Sequence, residues 1–387
     1  MKTIVVLGAG LAAAPVIRQT MKSTVLKSKD YKMIVVNPTT QFLWPIAMPR
    51  AVVPGQLADD KVIYDLEPTF KEYPADKFEF IVGAASSLDP QTNVVTVALP
   101  SGVTRELSYD ALVVATGASA IEEMPFKMMD TSEHTIDKLH RIQKDIERAG
   151  KIVVAGGGAT GVETAGELGY EYSRTGAKEV YLIHSEDLPL SEPVINSVRK
   201  AARNELQKLK VTLIPNTKVV GSSQSGDDTV LQLKDSNGKI TQLRTQAYLP
   251  TFGVKPNTEF MPSSMLDSRG FVKQNNRLQA EGHSDIFVIG DAGNLEASKA
   301  IVADTQGKHL IEALPVFLAG GKLNEYHAGT KETNAITLGR SAGTGHMGSF
   351  KIFSFLIWYL KGRFLGTDYA GGLAAGKRTI STKFESY

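Results

Sequence analysis

The feature that most constrains this chain is an apolar run that leads into three regularly spaced small residues. The run IVVLGAGLAA begins at Ile4 and places Gly8, Gly10 and Ala13 at the spacing G-x-G-x-x-G/A. In that pattern a buried strand turns at the first glycine, the second glycine admits a pyrophosphate, and the third small residue lets a helix pack closely. The N–H groups at the start of that helix then face the anion. The sequence therefore predicts a dinucleotide site here.

A second copy of the pattern lies in the middle of the chain. The apolar run 152–155 is followed by GGGATGVE, which places Gly156, Gly158 and Gly161 at the same spacing. A single glycine string is weak support for a nucleotide site, but two copies, each between a strand pattern and a helix pattern, are rarely accidental. We therefore predict an α/β chain with two Rossmann-like dinucleotide-binding units.

The composition excludes several kinds of chemistry. The chain has no cysteine, so it has no structural disulfide, thiolate metal site, cysteine-ligated iron–sulfur cluster or redox-active cysteine pair. If the protein transfers electrons, an organic cofactor must carry them, and we predict no metal site. The 43 basic and 41 acidic residues give a net charge of +2, which does not favour nucleic-acid binding.

Two polar residues of the first unit are candidates for cofactor binding. Asn37 ends the second predicted strand, 33–36, where an acidic residue usually binds the adenosine ribose. It could instead only begin the turn at Pro38. Arg50 is the one cation in the apolar segment 42–53, and it could bind a phosphate beneath a flat cofactor. The alternative for Arg50 is a surface position on a packed connector.

Three strand ends complete the predicted first site. Ala84 follows the strand pattern 80–82, and its small side chain would admit an adenine ring. Gly117 closes the sequence ATG, where the chain can reverse as it leaves the first unit. Asp291 ends DIFVIGD (285–291), where a carboxylate can accept a hydrogen bond from a ribitol hydroxyl or simply form an ordinary turn.

Acidic residues mark the second unit. Glu163 follows its glycine motif, where it could face the nicotinamide and flavin and orient the hydride donor, or merely favour the helix N-terminus. Glu186 comes after the strand pattern 180–183, where an acidic residue would bind the ribose of NADH and disfavour NADPH. His184 and Ser185 could instead accept a phosphate, so the choice between NADH and NADPH stays open.

The order of these motifs predicts a discontinuous first domain. We assign 1–118 and 255–325 to the first nucleotide-binding domain and 119–254 to the second, with Gly253 in the exit segment AYLPTFGVKPN of the latter. A small C-terminal α+β domain would occupy 326–387.

The C-terminal segment 350–365, FKIFSFLIWYLKGRFL, is densely apolar and aromatic. It is too short to span a bilayer. It could lie in a membrane interface, form a dimer contact or close the domain core. The N-terminus resembles a secretory signal only superficially, because its glycines fit the nucleotide motif. We expect no signal peptide, no transmembrane helix and a cytoplasmic protein, with or without peripheral membrane attachment.

The motifs GAGLAA, ATG, GGGATGVETAGE, GVKPN and DIFVIGDAGN, in this order, resemble the flavoproteins with paired dinucleotide domains. The strand end IHSED and the tail TLGRSAGTGHMGSFKIFSFLIWYLKGR resemble the apoptosis-inducing-factor-like group, which includes the ferroptosis suppressors and is related to type II NADH dehydrogenases. The resemblance implies a glutathione-reductase-like fold and an FAD-dependent NAD(P)H:quinone oxidoreductase. Alternatives are an NAD(P)H oxidase or monooxygenase-type flavoenzyme that uses oxygen, and a slow redox-sensing flavoprotein that acts through partner binding.

The same resemblance implies roles for individual residues. The FAD site would comprise Gly8, Gly10, Ala13, Asn37, Arg50, Thr116 and Asp291. NAD(P)H would bind at Gly156, Gly158 and Gly161, with Glu163 beside the nicotinamide. Apart from the resemblance, no residue is an obvious proton donor to a quinone, and either Lys361 or water could serve. Two positions depart from the group: Asn37 replaces the usual acid, and Lys2 stands where the vertebrate suppressor carries a lipidated glycine. The expected partners are a quinone, a membrane surface or a second copy of the chain, and no nucleic acid.

Overall fold

The computed structural model of the chain describes residues 1–329 and 332–386. Its first part builds a parallel sheet from apolar strands that are buried on both faces. The elements of this part are, in chain order, β1 (Lys2–Leu7), α1 (Ala13–Ser23), β2 (Tyr31–Asn37), β3 (Gln41–Leu43), α2 (Met48–Ala51), β4 (Ile63–Asp65), α3 (Glu67–Phe70), β5 (Phe78–Val82), β6 (Ala84–Asp89), β7 (Val94–Ala98), β8 (Thr104–Ser108) and β9 (Ala111–Val114).

The middle part builds a second parallel sheet and an antiparallel one. Its elements are, in chain order, β10 (Ala118–Ala120), α4 (Ser132–Arg148), β11 (Lys151–Ala155), α5 (Ala159–Glu171), β12 (Glu179–Ile183), α6 (Asn196–Lys208), β13 (Thr212–Ile214), β14 (Thr217–Ser225), β15 (Asp228–Asp235), β16 (Ile240–Thr245), β17 (Ala247–Pro250) and β18 (Val254–Pro256).

The last part returns to the first sheet and then adds a small sheet of its own. Its elements are, in chain order, β19 (Ile286–Val288), α7 (Ala300–Leu318), β20 (Thr333–Leu338), β21 (Ala342–Met347), β22 (Phe350–Ile352), α8 (Ser354–Ile357), a π-helical turn (Trp358–Gly362) and α9 (Ala370–Ala374).

In each parallel sheet one strand leads directly into a glycine motif. The first has the strand order β19-β9-β1-β2-β5, and the second has the order β13-β12-β11-β17. Strands β1 and β11 are interior strands with a parallel neighbour on each side. The loops that follow them therefore emerge at the carboxyl ends of those neighbours. Parallel sheets bind ligands at this edge, where the strand order reverses. The fold thus places both motifs where nucleotides can bind.

The chain passes between the two sheets through a short ribbon. Strand β10 pairs antiparallel with β18, so the segments that leave and re-enter the first unit lie side by side. Strand β19 then pairs with β9 in the first sheet. The domain boundaries given above remain predictions, and residues 330, 331 and 387 of the predicted C-terminal domain lie outside the described residues.

The C-terminal sheet packs against the second glycine-motif helix. Strands β20, β21 and β22 form an antiparallel sheet. A side chain at Gly166 of α5 would collide with the backbone of Gly339, which lies in the turn after β20. This close approach of two backbones brings the C-terminal segment beside α5, which carries Glu163.

Candidate functional site

A cavity of ≈ 1060 Å³ lies where the predicted site residues converge. It extends from the loop after β1 to the first turn of α5 and to the π-helical turn of the C-terminal part. Ligand pockets in proteins usually have volumes of about 300 to 1000 Å³ and mostly apolar walls. The predicted residues that line it are Gly8, Gly10, Asn37, Ala84, Thr116, Gly117, Glu163, Asp291 and Lys361.

The first glycine motif forms an open cradle at one end of the cavity. Gly8 has φ +101°, and a side chain there would collide with the carbonyl oxygen of Ala115. A Cβ at Gly10 would meet no atom within 4 Å, so the loop leaves room on the cavity side. Helix α1 then begins after Ala12 without a side-chain cap, and the N–H groups of Ala13 and Ala14 donate to the carbonyl oxygen of Gly10 at 3.1 and 2.9 Å. The helix would therefore attract an anion through its dipole and the loop before it rather than through these two N–H groups. This geometry fits a dinucleotide pyrophosphate.

Asn37 supports this cradle from the end of β2. Its Oδ1 accepts a hydrogen bond from the N–H of Ala9 at 3.0 Å, and its Nδ2 donates to the carbonyl oxygen of Thr39 at 2.7 Å. A carboxylate at this position could not donate to Thr39. The amide therefore braces the loop as well as lining the cavity, and its contact with a ribose stays a prediction.

The opposite wall carries Asp291 and the ATG turn. Asp291 accepts a hydrogen bond from the ammonium group of Lys127, which also lines the cavity. Thr116 and Asn257 exchange two hydrogen bonds, from Thr116 Oγ1 to the Asn257 carbonyl (2.7 Å) and from Asn257 Nδ2 to the Thr116 carbonyl (2.9 Å). These contacts fix the segment after β9 against the segment after β18.

Arg50 makes buried contacts that the sequence did not indicate. It is 7% exposed, so the surface-connector alternative is wrong. Its Nε and Nη2 donate to Glu167 Oε1 at 3.1 and 2.8 Å, and Nη2 also donates to the carbonyl oxygen of Gly362 at 2.9 Å. In the described part of the chain, Pro49 is among the residues that line the cavity and Arg50 is not. Phosphate binding by Arg50 stays a prediction, and these contacts do not favour it.

The second glycine motif is built like the first. Gly156 has φ +126°, and a side chain at Gly161 would collide with the carbonyl oxygen of Gly156. Helix α5 begins after Gly158, again without a side-chain cap. Among the described residues, the cavity lining on α5 begins at Ala159, Thr160 and Glu163, so the three glycines lie beside it.

Glu163 and Lys361 meet in the cavity wall. Lys361 Nζ donates to Glu163 Oε1 at 2.6 Å and to the carbonyl oxygen of Ala335 at 2.8 Å. The same Oε1 accepts hydrogen bonds from the N–H and Oγ1 of Thr337 at 2.9 and 3.1 Å. The Glu163 carboxylate is 5% exposed, so these donors offset its burial. The ammonium group remains partly exposed at the cavity.

The strand end after β12 brings opposite charges together. Arg199 of α6, itself buried, donates from Nη2 to Glu186 Oε2 at 2.5 Å. His184 is buried at the strand end, and that burial lowers its pKa, so the imidazole is held neutral. Among the described residues, Gly253 does not line the cavity although its neighbour Val254 does, and a side chain at Gly253 would collide with Ile121.

The apolar C-terminal segment is only half buried. Ile357 and Leu365 pack into the protein, whereas Phe350 is 80% exposed and Phe353 is 74% exposed. We call its exposed side the aromatic face, which consists of Phe350, Phe353, Phe355, Tyr359, Leu360 and Phe364. Leu360 also lines the cavity, so the aromatic face adjoins it. Closing the domain core therefore accounts for only part of this segment. No helix of the described residues is both long and apolar enough to cross a membrane.

Three residues of the site were given no role from the sequence, namely Lys127 and two residues that end quoted motifs, Asn257 of GVKPN and Glu167 of GGGATGVETAGE. Lys127 and Asn257 lie in irregular segments and contact Asp291 and Thr116, which are far from them in the sequence. Glu167 is 1% exposed on α5, four residues after Glu163. Two glutamates one turn apart in a largely apolar helix could have been detected, because buried carboxylates require cationic partners.

Two parallel sheets, each with a glycine motif beside one cavity, define a protein with two dinucleotide-binding units. A family model of the pyridine nucleotide-disulphide oxidoreductases matches residues 2–307. Oxidoreductase ptaL of Pestalotiopsis fici is 35% identical over 359 residues, which cover 92% of this chain and 94% of that protein. Human ferroptosis suppressor protein 1 is 26% identical over 375 residues, 95% of this chain and 94% of that protein. The chain belongs to the pyridine nucleotide-disulphide oxidoreductase family.

Solved structures show the same fold at low identity. The sulfide:quinone oxidoreductase from Aquifex aeolicus has a TM-score of 0.78 at 16% identity and covers 99% of this chain and 94% of its own. NDH2 from Plasmodium falciparum in complex with NADH has a TM-score of 0.73 at 12% identity, with 96% and 99% covered. The predicted fold class and the resemblance to ferroptosis-suppressor-like flavoproteins are confirmed.

FAD and NAD(P)H are the cofactors of this NAD(P)H-dependent flavin oxidoreductase. The residues present fit them, because each parallel sheet offers an uncapped helix N-terminus behind a glycine turn.

Proposed function

We propose that the acceptor of this oxidoreductase is a quinone, so that the chain is an FAD-dependent NAD(P)H:quinone oxidoreductase. The observation that most supports this proposal is the position of Lys361. Its ammonium group lines the nucleotide cavity, and the preceding residue, Leu360, belongs to the exposed aromatic face. An apolar acceptor that enters from this face would meet a proton donor inside the cavity wall.

The two nucleotides would be held by separate parts of the cavity. The loop at Gly8 and Gly10, braced by Asn37, would hold the FAD pyrophosphate, and Asp291 would accept a ribityl hydroxyl. The N-terminus of α5 at Gly158 would hold NAD(P)H, with Glu163 beside the nicotinamide. When bound, FAD accepts a hydride from NAD(P)H and supplies two electrons to an acceptor. The chain itself contributes position and electrostatics.

Reduction of a quinone to a hydroquinone consumes two electrons and two protons. One proton would come with the hydride of NAD(P)H, and the other must come from a donor near a quinone oxygen. We assign this second proton to Lys361, which would regain one from solvent. Its Nζ already donates to Glu163 and to the Ala335 carbonyl, which leaves one N–H for a quinone oxygen. The role proposed for Glu163 is to hold this ammonium group in place, since a positioned acid accelerates proton transfer.

The aromatic face is proposed as a membrane contact. Its aromatic side chains could insert at the interface, and Lys351 and Arg363 in the same segment could meet anionic headgroups. Quinones with long apolar tails dissolve in bilayers, so such a contact would place the cavity next to the acceptor. A homodimer would cover the same face and is the alternative outcome of a membrane test.

The visible spectrum of the purified holoprotein tests this function. Under anaerobic conditions NADH should bleach the flavin band within the mixing time, and a short-chain ubiquinone should restore it. A band that returns only with oxygen would identify an oxidase. Slow bleaching, or no recovery with ubiquinone or oxygen, would favour a redox sensor.

A further inference from the structure

Arg50 joins three segments that are far apart in the sequence. It lies on α2, within the apolar segment 42–53 of the first unit. Its guanidinium donates to Glu167 of α5 and to the carbonyl oxygens of Gly362 and Arg363, at 2.9 and 3.5 Å respectively. Arg50 and Glu167 are 7% and 1% exposed, so solvent hardly screens this contact.

The carbonyl oxygens that Arg50 contacts lie at the end of the π-helical turn. The N–H of Arg363 donates to the carbonyl oxygen of Trp358 at 2.8 Å, which closes this turn. The last carbonyl groups of a helix lack partners within it, and a cation there is stabilising. The segment 42–53 supplies a second donor, because Trp44 Nε1 donates to the Leu365 carbonyl oxygen at 2.7 Å. Two side chains of the first unit thus fix this backbone.

Lys361 lies in the turn that is fixed in this way. Its side chain reaches Glu163, and the next residue, Gly362, is connected through Arg50 to Glu167. Glu163 and Glu167 are one helical turn apart on α5 and therefore face the same side. Helix α5 therefore holds this region in two ways. Glu163 binds the side chain of Lys361 directly, and Glu167 binds Arg50, which in turn donates to the backbone carbonyl of Gly362.

We propose that Arg50 is a positioning residue for Lys361 and not a ligand of the flavin phosphates. By sharing its guanidinium between Glu167 and the end of the π-helical turn, Arg50 sets the distance of the Lys361 ammonium group from the cavity. The inference rests on the proposed function only in assigning the acceptor step to Lys361. The position of Lys361 itself can be measured independently.

The variant Arg50→Lys should keep the ion pair with Glu167 but lose the contacts with the two carbonyl groups. A lysine keeps the charge for Glu167 but cannot also reach both carbonyl groups, because it lacks the planar fork. In the holoprotein we expect flavin retention and reduction by NADH to be unchanged. Reoxidation by a short-chain ubiquinone should slow about ten- to a hundredfold, as expected for a small misplacement of a reacting group. Acetylation of Lys361 by acetic anhydride, followed by mass spectrometry, should become several-fold faster.

A second variant distinguishes the loss of the Arg50 contacts from misfolding of the protein. Removing one charge would leave the other buried and unpaired, so Arg50→Gln/Glu167→Gln removes both. It should reproduce the faster acetylation of Lys361. The matched control for Arg50→Lys is Arg18→Lys, the same exchange at an equally buried arginine that binds Glu385 and, among the described residues, makes no hydrogen bond to the π-helical turn. That control should leave the acetylation rate unchanged.

Two results would overturn the inference. One is faster flavin loss from Arg50→Lys with unchanged acetylation of Lys361, which would assign Arg50 to the flavin phosphates. The other is an equal acetylation rate in all variants. If ubiquinone fails to reoxidise the wild-type protein, the proposed quinone activity fails, whereas the acetylation rates still decide the role of Arg50.

Discussion

Glu163 and Lys361 are 198 residues apart in the sequence, yet Lys361 Nζ lies 2.6 Å from Glu163 Oε1. The contact exists because the C-terminal sheet packs on α5, where Gly166 allows the turn at Gly339 to approach the helix backbone. Two side chains that the sequence suggested separately, one for the nicotinamide and one for the acceptor, thus form a single ion pair at the cavity.

We predict that Lys361→Met slows the acceptor step more than the NADH step. Without the ammonium group the quinone loses its proposed proton donor, and positioned acids contribute about a hundredfold or more to such steps. Stopped-flow spectroscopy measures the two half-reactions separately. Lys361→Arg should not restore the rate, because a guanidinium group keeps the charge but does not give up its proton. The control is Lys322→Met at an exposed lysine, and equal losses in both half-reactions would contradict the proposed role.

A second prediction concerns the choice of nicotinamide. Glu186→Gln removes the carboxylate that would repel a 2′-phosphate and frees the guanidinium of Arg199 to bind one. We expect the ratio of kcat/KM for NADPH to that for NADH to rise about tenfold or more, equivalent to about 1.4 kcal/mol. The control is Glu205→Gln, which removes a carboxylate from α6, the helix that carries Arg199. An unchanged ratio of the two kcat/KM values would show that Glu186 does not contact the bound nicotinamide nucleotide.

The glycines of the second motif allow a test that separates binding from folding. A Cβ at Gly158 meets no atom within 4 Å, whereas one at Gly161 collides with backbone. Gly158→Leu should therefore keep the Tm and flavin content of the wild type but lose most of its reduction by NADH. Gly161→Ala should lower the Tm. Normal reduction in Gly158→Leu would mean that α5 does not receive the nucleotide.

The aromatic face is tested with vesicles. Phe353→Ser/Phe355→Ser removes two exposed rings, each able to contribute about 2 kcal/mol of apolar transfer energy. We expect sedimentation with phosphatidylcholine vesicles that contain phosphatidylserine to fall about tenfold or more. The matched control is Val220→Ser/Ile240→Ser, which removes exposed apolar residues from the middle part of the chain. If the wild-type protein does not bind the vesicles but dimerises through the aromatic face, the membrane proposal is wrong.

Local patterns predicted most of the fold. The strand before each glycine motif and the helix after it depend on neighbouring residues, so short stretches encode them. The strand β14, whose residues are mostly polar, was not predicted. The C-terminal segment was predicted to be apolar, but its division into β22, α8 and a π-helical turn depends on what it packs against.

The candidate site was predictable only where a backbone requirement dictates the residue. A side chain at Gly161 would collide with Gly156 of the same motif, and Gly8 has a positive φ at the turn after its strand, so the spacing of the motifs reveals both positions. Arg50 was assigned to a phosphate because a lone cation in an apolar run suggests a ligand. Its contacts with Glu167 and Gly362 depend on how three distant segments pack, which no local pattern encodes.

The C-terminal tail provides a prediction about acid stability. Arg18 donates from Nε and Nη2 to the two carboxylate oxygens of Glu385, each at 3.0 Å. These hydrogen bonds lower the pKa of Glu385 from 4.5 to about 2. Because the folded-state pKa is below the unfolded one, this stabilisation is present above about pH 4.5 and is lost as the pH falls toward 2.

Glu385→Gln should therefore reduce the free energy of unfolding by about 2 kcal/mol at pH 7, the usual contribution of hydrogen bonds to a charged group. The difference from the wild type should shrink between pH 4.5 and 2, because the wild-type carboxylate is then protonated. Urea unfolding at several pH values measures both quantities. Glu72→Gln is the control, since Glu72 contacts the same Arg18 but is half exposed and should contribute less. A difference between Glu385→Gln and the wild type that stays constant down to pH 2.5 would show that the Glu385 carboxylate is not stabilised by Arg18.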